Sequence, residues 1–316
     1  MRDTPNKTGV GEPRFLLVTG KGGVGKSTVA LALARQASRR GRRVLLMQLH
    51  TQDRLGQLFG RSEVGTDIVE LAPCLSAVSV TAQEAMQEYG TMILRSKLLY
   101  RAVFENQTVS RFLKVIPGLP ELLMLGKAYH HERELGPDGK HRWDLIIVDA
   151  PATGHGLYLL RIPIVITSAL RVGHMVDEAK NMLALLRNPD RCRIELVTLP
   201  EEMPVSETME LATTLTDELQ LPLGRIFVNQ VVASDLTEHE RAAVVAAQRT
   251  AVGAERSVLG AALFRHERAT AQHRQVEELA ARFGDRLRHF PRLPVQALTL
   301  ADVDRLADLI DPPEQP

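Results

Sequence analysis

The chain has 316 residues, and 39 lysines and arginines stand against 38 acidic residues, so the formal net charge is +1. Charged residues make up 24% of the chain and apolar residues 44%, a composition that excludes an intrinsically disordered protein. A net charge this close to zero argues against a surface that attracts DNA or anionic lipid as a whole, so we expect no nucleic-acid partner. Only Cys74 and Cys192 occur, which argues against a disulfide scaffold.

The elements at the start of the chain set the fold class. Residues 15–18 form a continuous apolar run that predicts a strand covered on both faces, residues 27–40 have helical spacing, and residues 44–47 predict a second strand. Gly41 lies where a helix C-cap is expected. A strand, a crossover helix and a strand make a βαβ unit, so the sequence predicts an α/β fold with a doubly wound, mainly parallel sheet.

The rest of the chain continues the alternation of strands and helices. Further strands are predicted at residues 143–148, 194–199 and 226–228. Further helices are predicted at residues 81–134 with a break at Pro117-Gly118, at 205–219 after Pro204, at 241–283 with interruptions near Gly253 and Gly260, and at 301–310. We interpret residues 14–311 as a single nucleotide-binding domain with a helical subdomain at about 81–135, between a flexible N-terminus (1–13) and a tail (312–316).

Two features of the sequence predict where the protein is found. Residues 1–13 are polar and lack the apolar core of a signal peptide. No stretch reaches the ~18 consecutive apolar residues that a membrane span requires. Together with the unpaired cysteines, these features predict a cytoplasmic protein.

The strongest motif is GKGGVGKS at residues 20–27, which matches GxxxxGK[ST] between a predicted strand and a predicted helix. Glycines allow backbone N–H groups to turn inward around an anion, and the following helix directs its positive end at the same point. Lys26 can reach the β and γ phosphates of a nucleotide, and the Ser27 hydroxyl can bind Mg²⁺. The predicted cofactor-binding residues of this loop are Gly20, Lys21, Gly22, Gly23, Val24, Gly25, Lys26, Ser27 and Thr28.

A second motif begins where the strand at residues 143–148 ends, in the run DAPATGHG at residues 149–156. A carboxylate at the end of a strand lies at the carboxyl edge of the sheet, where the phosphate loop also lies. Asp149 is therefore predicted to hold a Mg²⁺-bound water beside Ser27. The small residues that follow it suit an order–disorder switch close to the γ-phosphate.

These motifs carry a resemblance to a known family. The KGG-x-GK[ST] pattern resembles the deviant phosphate-loop ATPases, in which the lysine equivalent to Lys21 reaches the phosphates of a partner across a nucleotide-sandwich dimer. Residues 149–156 resemble the DTAPTGHT switch of the arsenite-pump (ArsA) and tail-anchored-protein targeting ATPases. Pro117-Gly118 with Glu121, and residues 200–208, resemble two further segments of that family. The resemblance implies ATP and Mg²⁺ as ligands, and a homodimer or a heterodimer with a paralogue.

The resemblance also suggests where the base of the nucleotide binds. Asn229 occupies the position of the strand-end Asn that contacts adenine in the family, and no Asp follows in the NKxD spacing of guanine sites, which favours ATP over GTP. Pro291 and Leu293 lie in a segment that resembles the family's loop over adenine. Asn and Pro also end strands for purely local reasons.

The first switch departs from the family pattern, because His50 replaces the Asp that positions the attacking water. Neutral His50 can accept a proton near neutral pH, and Asp53 is an alternative carboxylate. We therefore assign Lys21, Lys26, His50 and Asp149 as catalytic residues and expect slow turnover, or a partner that supplies the missing carboxylate. The two separated cysteines do not predict an arsenite site.

The sequence favours an ArsA-like ATPase that binds Mg²⁺-ATP, opens and closes as a dimer, and handles a hydrophobic client protein or a membrane partner. The Met- and Leu-containing helices at residues 86–125 either form a groove for such a client or pack against the sheet or a partner subunit. Two alternatives stay open. One is a catalytically weak nucleotide-binding subunit that works with a paralogue, and the other is a partition-type ATPase of the Par or Min kind.

Overall fold

A computed structural model describes residues 13–49, 55–61, 63–94, 118–169, 171–233 and 236–311. The predicted N-terminal segment, except for its last residue, lies outside these ranges, as do the tail, residues 95–117 of the predicted helical subdomain, and His50 and Asp53. Within the described part of the chain, no helix combines the length and the apolar character that crossing a membrane requires.

Eight described strands form one sheet in the order β3-β4-β2-β5-β1-β6-β7-β8. Only β3, which pairs with β4, is antiparallel within this sheet. The α/β fold with a doubly wound, mainly parallel sheet is thereby confirmed. The strands are β1 (Phe15–Gly20), β2 (Val44–Leu49), β3 (Val69–Ala72), β4 (Leu75–Val80), β5 (Leu145–Asp149), β6 (Cys192–Thr198), β7 (Leu223–Val231) and β8 (Leu287–Pro291).

Helices cover both faces of the sheet. They are α1 (Lys26–Arg39), α2 (Leu55–Leu58), α3 (Ala82–Leu94), α4 (Leu119–Arg133), α5 (Thr153–Ala169), α6 (His174–Arg187), α7 (Glu202–Thr213), α8 (Glu238–Thr250), α9 (Gly253–Phe283) and α10 (Leu300–Asp308). Helices α1 and α10 pack on one face, and α4, α5 and α6 pack on the other. Alternate residues of the central strands enter each core, because successive side chains of a strand point to opposite faces.

Two predicted helix boundaries are wrong. Helix α7 begins at Glu202, so Pro204 lies in its first turn, where a missing N–H breaks no helical hydrogen bond. Helix α9 continues through Gly260; the interruption lies just before Gly253, where Val252 is extended and Gly253 has a φ of 58°.

The closing helix predicted at residues 301–310 is observed as α10. A capping box between Thr299 and Asp302 begins it, with each side chain bonded to the backbone N–H of the other residue. Its acidic face pairs with α1: a carboxylate oxygen of Asp304 accepts from Nε of Arg35 at 2.8 Å. Asp304 and Asp308 of α10 are therefore ion-pair partners of Arg35 and Arg39 on α1.

Candidate functional site

The predicted phosphate loop connects β1 to α1 at the carboxyl edge of the sheet. Gly23 and Gly25 have φ angles of 82° and 94°, in the left-handed region that favours glycine. The Lys26 ammonium donates a hydrogen bond to the backbone carbonyl of Lys21 at 3.0 Å, which folds the side chain back over the loop. The loop, the N-terminus of α1 and the ammonium thus converge on one point, as an anion site requires.

Close backbone packing holds the loop in this shape. A methyl group added at Gly20 would overlap the carbonyl oxygen of Val197 on β6, and one added at Gly25 would overlap the side-chain nitrogen of Asn229 on β7. That nitrogen donates to the carbonyl of Val24 at 2.8 Å. The end of β7 therefore supports the loop directly.

Asp149 ends β5 and is 1% exposed. Neither of its carboxylate oxygens has a hydrogen-bond partner among the described residues. Burial raises the pKa of Asp149 to about 6. Two neighbours lower this pKa, but by less than burial raises it: the Lys26 ammonium and the Ser27 hydroxyl, which lies close by but outside ordinary hydrogen-bond geometry. A charged oxygen pair with unused acceptor sites beside a serine hydroxyl has the donor chemistry that Mg²⁺ prefers.

The pKa of Lys26 is shifted in the opposite direction to that of Asp149. Burial lowers the pKa of its ammonium, and the negative charge of Asp149 partly reverses this effect. Both groups therefore lie in surroundings that disfavour their charged forms. A bound anion near Lys26 and a bound cation near Asp149 would favour those charged forms.

The side chain of Lys21 points away from the loop to α7, where its ammonium contacts Glu207 Oε1 at 2.5 Å. The two side chains are 35% and 36% exposed, so water screens this ion pair. Glu207 belongs to the segment 200–208 of the sequence analysis. In this conformation Lys21 is bound to a carboxylate of its own chain.

The residues predicted to contact the base also lie at the carboxyl edge of the sheet. Asn229 is 6% exposed, and its side-chain oxygen accepts from the backbone N–H of Gln230 at 3.0 Å, so both ends of the amide already contact backbone. Pro291 ends β8, and the backbone N–H of the next residue donates to the carbonyl of Val231 at 2.8 Å. Leu293 packs on the core beneath α1. The contact of these residues with adenine stays a prediction.

Comparison with known proteins shows which family has a sequence similar to this chain. Residues 13–174 match the anion-transporting ATPase family, ArsA_ATPase. ATPase BagA of Mycobacterium tuberculosis is 30% identical over 234 residues, which cover 72% of this chain and 68% of that protein. The chain belongs to the anion-transporting ATPase family.

Other members of the family match over a smaller share of their own length. The arsenical pump-driving ATPase of Acidiphilium multivorum is 27% identical over 255 residues, or 75% of this chain and 42% of that protein. An arsenical pump-driving ATPase of Escherichia coli is 32% identical over 155 residues, or 48% of this chain and 26% of that protein. Membership confirms the family resemblance of the sequence and places the chain among ATPases.

The run DAPATGHG differs from the DTAPTGHT motif that it resembles at residues 150–152, where small residues are permuted, and at Gly156, where the motif has Thr. Gly156 lies in the first turn of α5, and a methyl group there would come within 2.6 Å of the Thr19 hydroxyl and 2.9 Å of the Pro151 carbonyl oxygen. A side chain at residue 156 would therefore require this turn to shift. The roles proposed for His50 and Asp53 fall outside the described residues.

The structure adds one polar residue that the sequence analysis missed. Gln48 lies on β2 beside Asp149, is 3% exposed, and has an Oε1 atom with no hydrogen-bond partner in the described ranges. A glutamine within an otherwise apolar strand, VLLMQL, was the available signal. Its significance depends on the pairing of β2 with β5, which connects residues far apart in the chain.

Proposed function

We propose that this family member binds Mg²⁺-ATP in the loop at residues 20–28 and hydrolyses it slowly to ADP and phosphate. Binding and hydrolysis would close and open a dimer, either of two copies or with a paralogue, in the cytoplasm. The cycle would act on a hydrophobic client protein or a membrane partner. Family membership supports an ATPase, and the residues of the site support the finer assignments.

The observation that carries the proposal is the buried, unpartnered carboxylate of Asp149 next to the phosphate loop. An ionised group in such surroundings destabilises the protein unless it binds a cation or a proton. Ser27 offers a hydroxyl ligand for Mg²⁺, and Asp149 offers a carboxylate that would hold one of the ion's waters; when bound, the ion would neutralise phosphate charge. The residues present therefore fit the ion that the family implies.

The chain's own residues account for binding and orientation. Lys26 would exchange its backbone carbonyl for phosphate oxygens, to which an ammonium binds more strongly because they are charged. The backbone N–H groups of the loop would hold the same phosphates in place. Phosphoryl transfer to water depends mainly on such positioning and charge stabilisation.

Lys21 would act across the dimer. Its present partner, Glu207, is exposed enough that exchange for a partner subunit's phosphates costs little free energy. Because Lys21 can bind either Glu207 or a nucleotide in the partner subunit, the ion pair competes with closure, and a bound nucleotide would shift Lys21 towards the closed dimer.

We do not propose that this chain handles arsenite, although several relatives are named for an arsenical pump. Soft thiolates are the ligands that such an ion needs. Cys192 begins β6 and Cys74 immediately precedes β4, four strand positions away in the sheet, which corresponds to roughly 19 Å. Burial also raises the pKa of the Cys192 thiol, which disfavours a thiolate there. A client protein or a membrane partner is the proposed target instead.

Calorimetric titration with ATP and with GTP, each with and without Mg²⁺, tests the nucleotide assignment. We expect Mg²⁺-dependent binding of ATP that Lys26→Ala weakens at least about tenfold and that Lys140→Ala, a change on an exposed turn, leaves intact. The mass in solution should double with ATP in place of ADP. Absence of ATP binding, or equal binding by the Lys26 variant, would contradict the proposal.

A further inference from the structure

Gln48 and Asp149 form a pair of unpartnered acceptors at the edge of the sheet. They are direct register partners on the parallel strands β2 and β5. Leu46 and Ile147, two residues earlier on each strand, pack in the core beneath α1, so both polar side chains point to the face of the sheet that α1 covers. Gln48 Oε1 and both Asp149 oxygens are buried and lack hydrogen-bond partners among the described residues.

With the Gln48 amide oriented as it is in this structure, its Oε1 and the Asp149 oxygens cannot bond to each other, because none of these oxygens carries a hydrogen. A donor placed between them would satisfy both, and the spacing of adjacent strands, about 4.8 Å, suits one bridging water. A buried acceptor without a partner lowers the stability of the folded state. The arrangement therefore favours occupation by a hydrogen-bond donor.

A second buried glutamine of this protein, by contrast, has hydrogen-bond partners for both ends of its side-chain amide. Gln272 on α9 is also 3% exposed. Its Oε1 accepts from the backbone N–H of Val232 at 2.7 Å, and its Nε2 lies 3.5 Å from the carbonyl of Gln230. Gln272 thus joins α9 to the end of β7, whereas the Oε1 of Gln48 joins nothing in the described structure.

We propose that Gln48 is a positioning residue of the nucleotide site, whose Oε1 accepts a hydrogen bond from a water held between it and Asp149 when Mg²⁺ is bound. This inference rests on the proposed function, since it assumes that Mg²⁺-nucleotide binds beside Asp149. A cation strengthens the donor character of its water, so an amide oxygen is a suitable acceptor for it. Gln48 would thereby stabilise the bound ion without touching it.

The test compares Gln48→Leu with Gln272→Leu, using a non-hydrolysable ATP analogue. The readouts are the thermal midpoint without ligand, the analogue affinity without Mg²⁺, and the Mg²⁺ affinity of the protein–analogue complex. For Gln48→Leu we expect an unchanged or higher midpoint, unchanged Mg²⁺-free affinity and about tenfold weaker Mg²⁺ binding. For Gln272→Leu we expect a lower midpoint and unchanged Mg²⁺ binding.

Gln48→Glu keeps an acceptor at the same position but adds a second buried carboxylate beside Asp149, so it should restore Mg²⁺ affinity relative to Gln48→Leu while lowering the thermal midpoint without ligand. A Gln48→Leu protein that is destabilised like Gln272→Leu, or that binds Mg²⁺ as wild type does, overturns the inference. Those outcomes leave the proposed function intact, because wild type would still bind Mg²⁺-nucleotide. If wild type itself shows no Mg²⁺-dependent binding, the proposed function fails and the role of Gln48 fails with it.

Discussion

Replacing Asp149 by Asn should stabilise the ligand-free protein while removing Mg²⁺ binding. Burial raises the pKa of Asp149 from 3.8 to about 6. Since the folded state then prefers the protonated form, the carboxylate opposes folding above pH 3.8, and the opposition is complete above about pH 6. Each pKa unit corresponds to about 1.4 kcal/mol, so the neutral Asn side chain should raise the free energy of unfolding near neutral pH by about 3 kcal/mol.

Chemical denaturation of wild type and Asp149→Asn at several pH values measures this effect. The stability difference between them should grow by about 2 kcal/mol from about pH 4.5 to about pH 7.5. Asp144, just before the same strand, is the control with the opposite sign. The hydrogen bonds from Arg43 lower its pKa, so it stabilises the fold above its unfolded pKa, and Asp144→Asn should destabilise the protein near neutral pH.

A difference between wild type and Asp149→Asn that does not change with pH would refute the reasoning. So would an Asn variant that is less stable than wild type near neutral pH. Retained Mg²⁺ binding by that variant would instead show that the carboxylate does not hold the ion through its water.

Three further predictions concern the same edge of the sheet and the central strands. Lys21→Ala should abolish ATP-dependent dimer formation in sedimentation experiments, whereas Glu207→Gln, which releases Lys21, should preserve or increase it; equal loss in both variants would refute the exchange. Gly25→Ala should destabilise the protein by about 1 kcal/mol more than Gly41→Ala, because both glycines have positive φ but only the first has a neighbour in the way. In the native protein a thiol reagent should modify Cys74 rapidly, because Cys74 is exposed, and Cys192 only on unfolding, because Cys192 is fully buried. Rapid modification of both cysteines would contradict the position of Cys192 in the sheet.

Much of the site could be predicted because its chemistry is local in sequence. The phosphate loop needs a glycine pattern between a strand and a helix, and the structure places residues 20–27 in that setting. Asp149 follows a continuous apolar run, which fixes it at the carboxyl end of a buried strand. Strands β3, β4 and β8 were not predicted: β3 and β8 are short and partly exposed, and two serines interrupt the apolar run of β4, so none of them has that continuous apolar signal.

The sequence by itself determined the family, the α/β alternation and the residues that surround a bound phosphate, because each depends on neighbours a few positions apart. Tertiary structure alone decided that Lys21 binds Glu207, that Asn229 supports the phosphate loop, and that Gln48 faces Asp149. These contacts join segments about 100 to 200 residues apart in the chain, and the order of strands in the sheet brings them together. Burial, which raises the pKa of Asp149, is likewise a property of the packed sheet and helices and not of the sequence around the residue.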